Sequence, residues 1–68
     1  MSQVQSVLFD RALFTKAKAT RWLRAHGFIV RRVDVTANRL RYRQVEPVAG
    51  SRYAIRHIKD GVELVIMY

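Results

Sequence analysis

"VDVTANRLRYRQ", Val33 to Gln44, alternates apolar and polar residues on both sides of Ala37-Asn38. That is the period of a β-strand covered on one side only. Asn accepts the left-handed backbone that a reversal needs, so the stretch reads as a hairpin of residues 28–36 and 39–45. Pairing outward sets Val35 against Leu40 and Val33 against Tyr42. A two-residue and a four-residue loop give the same parity. One face is therefore apolar, and the other carries Arg32, Asp34, Arg39, Arg41 and Arg43. An apolar sheet face needs a cover, and the chain upstream supplies one.

Residues 16–26 read as a helix. The Thr15 hydroxyl can accept from the free N–H groups of the first turn, and Phe14 before it can staple onto Ala19. Gly27 stands where helices close on a left-handed residue. At 100° per residue, Ala19, Trp22, Leu23 and His26 share one side, and Arg21 and Arg24 share the opposite one. Lys16 and Lys18 flank that basic back. Without acidic residues the helix gains no ion pairs along its length, so its charge does nothing for the helix itself.

Further upstream, residues 4–9 form a short strand that must join the later ones. Downstream, Glu46-Pro47 stops the first hairpin, because Pro has no N–H for the ladder. Residues 52–59 and 62–68 then make a second hairpin around Asp60-Gly61, a type I′ signal. Regular pairing from that turn puts His57 beside Leu64 and Ile55 beside Ile66, with Tyr53 on the same apolar face. Its other face, Arg56, Ile58, Glu63, Val65 and Met67, is less polar than a solvated face should be. The expected fold is α+β: a short N-terminal strand and one helix packed across an antiparallel sheet made of two hairpins.

The 68 residues suit a single domain, 1–68, with one small core. Half of them are hydrophobic, which excludes a disordered basic tail. There is no Cys, and His26, His57 and the scattered carboxylates have no metal spacing, so neither metal nor cofactor is expected. No apolar run approaches the ~20 residues of a membrane span, and "MSQVQSVLFD" lacks the basic start of a signal peptide. A chain neither secreted nor transmembrane is the expectation. Thirteen Lys and Arg against five Asp and Glu leave a net charge of +8, which draws nucleic acid or another polyanion.

"FTKAKATRWLRAHGF", "VDVTANRLRYRQVEP" and "GVELVIMY" together resemble a family of small uncharacterised proteins of tailed phages and environmental viruses. The resemblance runs over nearly the whole chain, through Phe14, Thr15, Ala19, Trp22, Leu23, His26, Gly27, Phe28, Val33, Asp34, Thr36, Asn38, Arg43, Gln44, Pro47, Gly61, Val65 and Ile66. Leu40-Arg41-Tyr42-Arg43-Gln44 departs from the family's usual Tyr-Arg-Phe-Arg-Gln, and Met67-Tyr68 departs from its Gly ending. It implies a viral protein, located in the host cytoplasm or the virion, and brings no established chemistry.

Four groups of residues are candidate sites. His26 and His57 together suggest a two-histidine ribonuclease; the plainer reading is a His26 on the buried helix face beside Trp22, bonded to backbone near the helix end, and a His57 packed on an apolar face. A helix, Gly-Phe and Arg-bearing strands are also similar to the HicA-type RNA-cleaving toxins. Those place a catalytic His after Gly-Ser, whereas Gly50-Ser51 precedes Arg52 here. Asp34 reads as the cross-strand partner of Arg41 rather than as a base. Trp22, Tyr42 and Tyr53 are candidate platforms for stacking bases, but Trp22 and Tyr42 fall on core faces, which argues against it. The favoured site is the arginine face, Arg32, Arg39, Arg41 and Arg43, with the helix back, Arg21 and Arg24, as a second basic surface across the domain. The expected function is non-enzymatic binding of nucleic acid, DNA or RNA, without sequence specificity. The alternative is a virion structural or interaction protein whose basic face meets an acidic protein, with homo-oligomers allowed and no membrane contact.

Overall fold

The computed structural model describes residues 2–68. They form an α+β domain from β1 Gln3–Asp10, α1 Lys16–Ala25, β2 Val33–Val35, β3 Arg39–Arg43, β4 Tyr53–Lys59 and β5 Val62–Met67. The strands make one antiparallel sheet in the order β2-β3-β1-β5-β4. The first strand is therefore the central one, bonded to β3 on one side and β5 on the other.

The reason lies in its side chains. Val7 and Phe9 have no exposed surface, and they cluster with Ala19 and Leu23 of α1, Leu40 and Tyr42 of β3, and Val62 of β5. Burying each of the larger ones is worth about 1.5–3 kcal/mol. The Phe9 ring meets three others: Phe14 at 4.9 Å, Trp22 at 5.7 Å and Tyr42 at 5.6 Å. Tilted and edge-on pairs of this kind add to the area term. Only a strand with neighbours on both sides can hide two such residues completely.

β1 also carries an irregularity. Val4 pairs with Ile66 and Ser6 with Val65, which leaves Gln5 as an extra residue. The insertion lets Val4 and Val7, three apart, both face the core. Gln5 and Ser6 become fully buried instead. Their polar atoms are satisfied: Ser6 Oγ donates to Gln5 Oε1 at 2.6 Å, and Gln5 Nε2 donates to the Val45 carbonyl at 3.0 Å.

The helix begins and ends on its own sequence signals. Thr15 Oγ1 accepts from the Lys18 N–H at 3.2 Å. Gly27 takes φ 76°, the Gly27 N–H reaches the Arg24 carbonyl, and the Phe28 N–H reaches the Leu23 carbonyl at 2.9 Å. That is a Schellman closure, with Phe28 and Leu23 as its apolar contact residues.

The first hairpin has the expected register, Val33 to Tyr42 and Val35 to Leu40, but β2 is only three residues long. Residues 28–32 are not strand, because a side chain stands in for one. The Gln44 amide donates to the Ile29 carbonyl and accepts from the Ile29 N–H, both at 2.8 Å.

The second hairpin departs from the expected pairing. His57 lies opposite Glu63 and Ile55 opposite Val65, with an extra residue at Ile58. One inserted residue flips the parity of everything beyond it. Tyr53, Ile55 and His57 therefore share the face of Glu63, Val65 and Met67, away from the core. The turn differs too. Asp60 keeps a negative φ and only Gly61 is left-handed, at φ 81°, so the type I′ pair is absent.

At Gly61 a Cβ would stand 3.0 Å from Leu13 Cδ1 and 3.1 Å from Phe14 Cε1, whereas a Cβ on Gly50, φ 83°, would meet nothing within 4 Å. Gly61→Ala is expected to lower the melting temperature by about 5–15 °C, through left-handed strain of about 1–2 kcal/mol and the clash together. Gly50→Ala carries the strain alone and should fall by less. Equal shifts in thermal melts of the two variants would contradict this packing of the 11–14 segment over the turn.

Candidate nucleic-acid interface

Ladder parity assigns the basic residues to two surfaces. Val7, Phe9, Leu40 and Tyr42 point to the helix, so Leu8, Arg39, Arg41 and Arg43 point the other way. Of the four arginines expected there, the three of β3 share one face, whereas Arg32 lies outside β2 and the ladder does not place it.

On that face, however, they are engaged within the chain. Arg39 Nη1 meets Glu63 Oε1 at 2.7 Å. Arg43 lies 3.6 Å from Asp34 and 3.5 Å from Glu46, with its Nε buried and unbonded. Arg41 donates from Nε to Ser6 Oγ at 3.0 Å and from Nη2 to Gln5 Oε1 at 2.8 Å. Asp34 stands opposite Arg41 in register, yet its ion pair is with Arg43. The expected open patch is thus a bonded network. Arg41 anchors the buried Gln5-Ser6 irregularity, and Arg32 alone of the four is exposed with no ion pair among the described residues.

The helix back is different. Lys16, Lys18, Arg21 and Arg24 are exposed, and the ion pairs among the described residues use none of them. Lys16, Ala17, Thr20, Arg21 and Arg24 line a shallow groove of about 440 Å³. The first turn holds no acidic residue, so Lys16 and Lys18 sit at the positive end of the helix dipole.

His26 caps the helix, exposed, with Nδ1 2.8 Å from the Trp22 carbonyl. A carbonyl only accepts, so Nδ1 holds a hydrogen. The backbone bond expected of His26 is present, but its burial is not. His57 is exposed on the far face of the sheet. The two histidines lie on opposite sides of the domain and do not form an acid–base pair. Among the described residues no three His, Cys, Asp or Glu side chains gather as a metal set, and no helix is long and apolar enough to cross a membrane.

Tyr42 is buried, in keeping with its core position, and Trp22 is half-buried. Tyr53 is 45% and Ile55 61% exposed, contrary to the core position expected from regular pairing. All seven residues of β4 are exposed, and its outer edge has no strand partner among the described residues. Sequence reasoning missed Gln5 and Gln44, which organise the sheet end. Polar residues beside strands read as surface, and no local pattern marks them as buried.

Compared with protein-family models, curated proteins and solved structures, the chain matches none.

Arg41→Ala is expected to destabilise the domain by about 1–3 kcal/mol, because buried Gln5 and Ser6 lose their charged donor. Arg39→Ala, which breaks a pair at the surface, should cost about 0–1 kcal/mol. Urea denaturation of both variants checks the order, and a reversed ranking would remove the anchoring role of Arg41.

Proposed function

We propose that the chain is a non-enzymatic module that binds nucleic acid through its phosphates, largely without sequence specificity, and that α1 makes the primary contact. One observation carries the reading: Lys16, Lys18, Arg21 and Arg24 line the exposed back of one short helix with no acidic residue on it. Lys16 and Lys18 work against the helix dipole, whereas Arg24 in the last turn complements it; Lys18, Arg21 and Arg24, three apart, repel one another and lower the stability of the element that holds them. A polyanion offsets that cost on binding. Arg32, exposed just before β2, adds to the positive field, and Arg39, Arg41 and Arg43 contribute to it while bonded to the chain. The resemblance to phage proteins supports a viral setting for this activity.

β4 favours a second reading, an interaction protein that meets an acidic partner. It is an edge strand whose outer side has no strand partner among the described residues, and it exposes Tyr53, Ile55 and Ile58 beside Arg56 and Lys59. Such an edge can accept an extended segment through backbone bonds, with its cations selecting acidic side chains.

Salt dependence separates the two. Phosphate binding releases counterions, so the logarithm of affinity falls steeply with the logarithm of salt. Fluorescence anisotropy with labelled DNA and RNA at two salt concentrations is expected to show that slope. Replacing Arg21 and Arg24 together by Gln should weaken every probe alike and reduce the slope by about 0.7–0.9 for each lost contact. If affinity and slope stay unchanged in that variant, α1 is a solvated face and the protein-partner reading takes its place.

A further inference from the structure

Trp22 is half-buried, packing against the core while part of its ring stays open to solvent. Its ring stands edge-on against Phe9, at 5.7 Å and 78°, and parallel to Phe28 at 5.8 Å and 8°. His26 stacks on it at 3.9 Å and 18°, with its own ring fixed by the Nδ1 bond to the Trp22 carbonyl. The helix is already seated on the core by Ala19 and Leu23, which have no exposed surface. Trp22 and Phe28 add to that seating from the rim of the core, and His26 extends the stack to the surface.

Beside it lies an open recess of about 320 Å³, lined by Phe14, Lys18, Arg21, Trp22, Ala25 and His26. Its walls are mainly apolar and aromatic, its charged members are both cations, and it holds no carboxylate. Arg21 also lines the basic groove, so recess and groove share a border.

We propose that this recess takes an unpaired nucleobase of a single-stranded nucleic acid, stacked against the Trp22-His26 pair, with the adjoining phosphates on Lys18 and Arg21. The inference rests on the phosphate-binding reading of α1 and adds the form of its ligand. Aromatic rings bind bases of any identity through their π faces, and cations beside them hold the backbone. A base within a duplex is already stacked on both faces and cannot enter without being extruded, which costs a few kcal/mol. A cationic aromatic ligand is repelled by Lys18 and Arg21, and a neutral one leaves both cations unused.

Trp22 is the only tryptophan, so its fluorescence reports on the recess directly. The native chain is titrated with a labelled oligothymidylate, an abasic strand of equal length and a duplex, reading probe anisotropy and tryptophan emission together. The expected result is quenching by oligothymidylate, with binding about tenfold tighter than to the abasic strand, and duplex binding without quenching. His26→Ala should narrow the gap between base-bearing and abasic strands, and His26→Phe should keep it. If anisotropy rises equally for the base-bearing and abasic strands while emission stays constant, stacking is wrong and phosphate binding stands. If no probe changes anisotropy, both readings fall and a protein partner replaces nucleic acid.

Discussion

Val7 and Phe9 must both be sealed from water, and they sit on a strand whose two edges have to be bonded as well. That double demand organises the domain. β3 and β5 satisfy the edges, α1 covers the side chains, and the irregularity at Gln5 keeps Val4 on the covered face. The inserted residue has a second effect. It buries Gln5 and Ser6 on the other face, where their oxygens need a donor, and Arg41 supplies it. A hydrophobic requirement on one side of the sheet thus fixes a cation on the other.

The positive charge is accordingly of two kinds. Arg39, Arg41 and Arg43 hold strands and loops together through Glu63, Ser6, Gln5, Asp34 and Glu46. Lys16, Lys18, Arg21 and Arg24 are not in ion pairs among the described residues. The distinction matters for any polyanion. A partnered arginine must exchange one set of bonds for another, so its net gain on binding is small, whereas an exposed one exchanges only water.

Local chemistry was legible where it was self-contained. Thr15 and Gly27 mark the helix because capping depends on neighbours within a few residues, and the register of Val33 and Val35 follows from alternation alone. The second hairpin is not legible by regular pairing, because one residue, Ile58, breaks the count. Nothing in "YAIRHIK" announces an insertion, since bulges answer to the partner strand and not to composition. The central place of β1 and the strand-like work of Gln44 depend on partners far along the chain. The basic helix back was visible by helical period, yet which arginines would be free was not, because that depends on where Gln5, Glu46 and Glu63 come to lie.

The central strand also imposes an order on assembly. In β1, Val7 faces Tyr42 on one side and Leu64 on the other, and Gln3 lies opposite Met67. During synthesis an apolar strand therefore emerges long before either neighbour exists, and its second edge stays open until β5 has left the ribosome. Loop-closure entropy must be met before these distant pairings return any stability, which slows folding. Until then α1, and β3 once Leu40 and Tyr42 have emerged, are the elements that can shield Phe9. Nascent chains of this protein are consequently most vulnerable to mispairing along β1, the same strand that is best protected once the domain is complete.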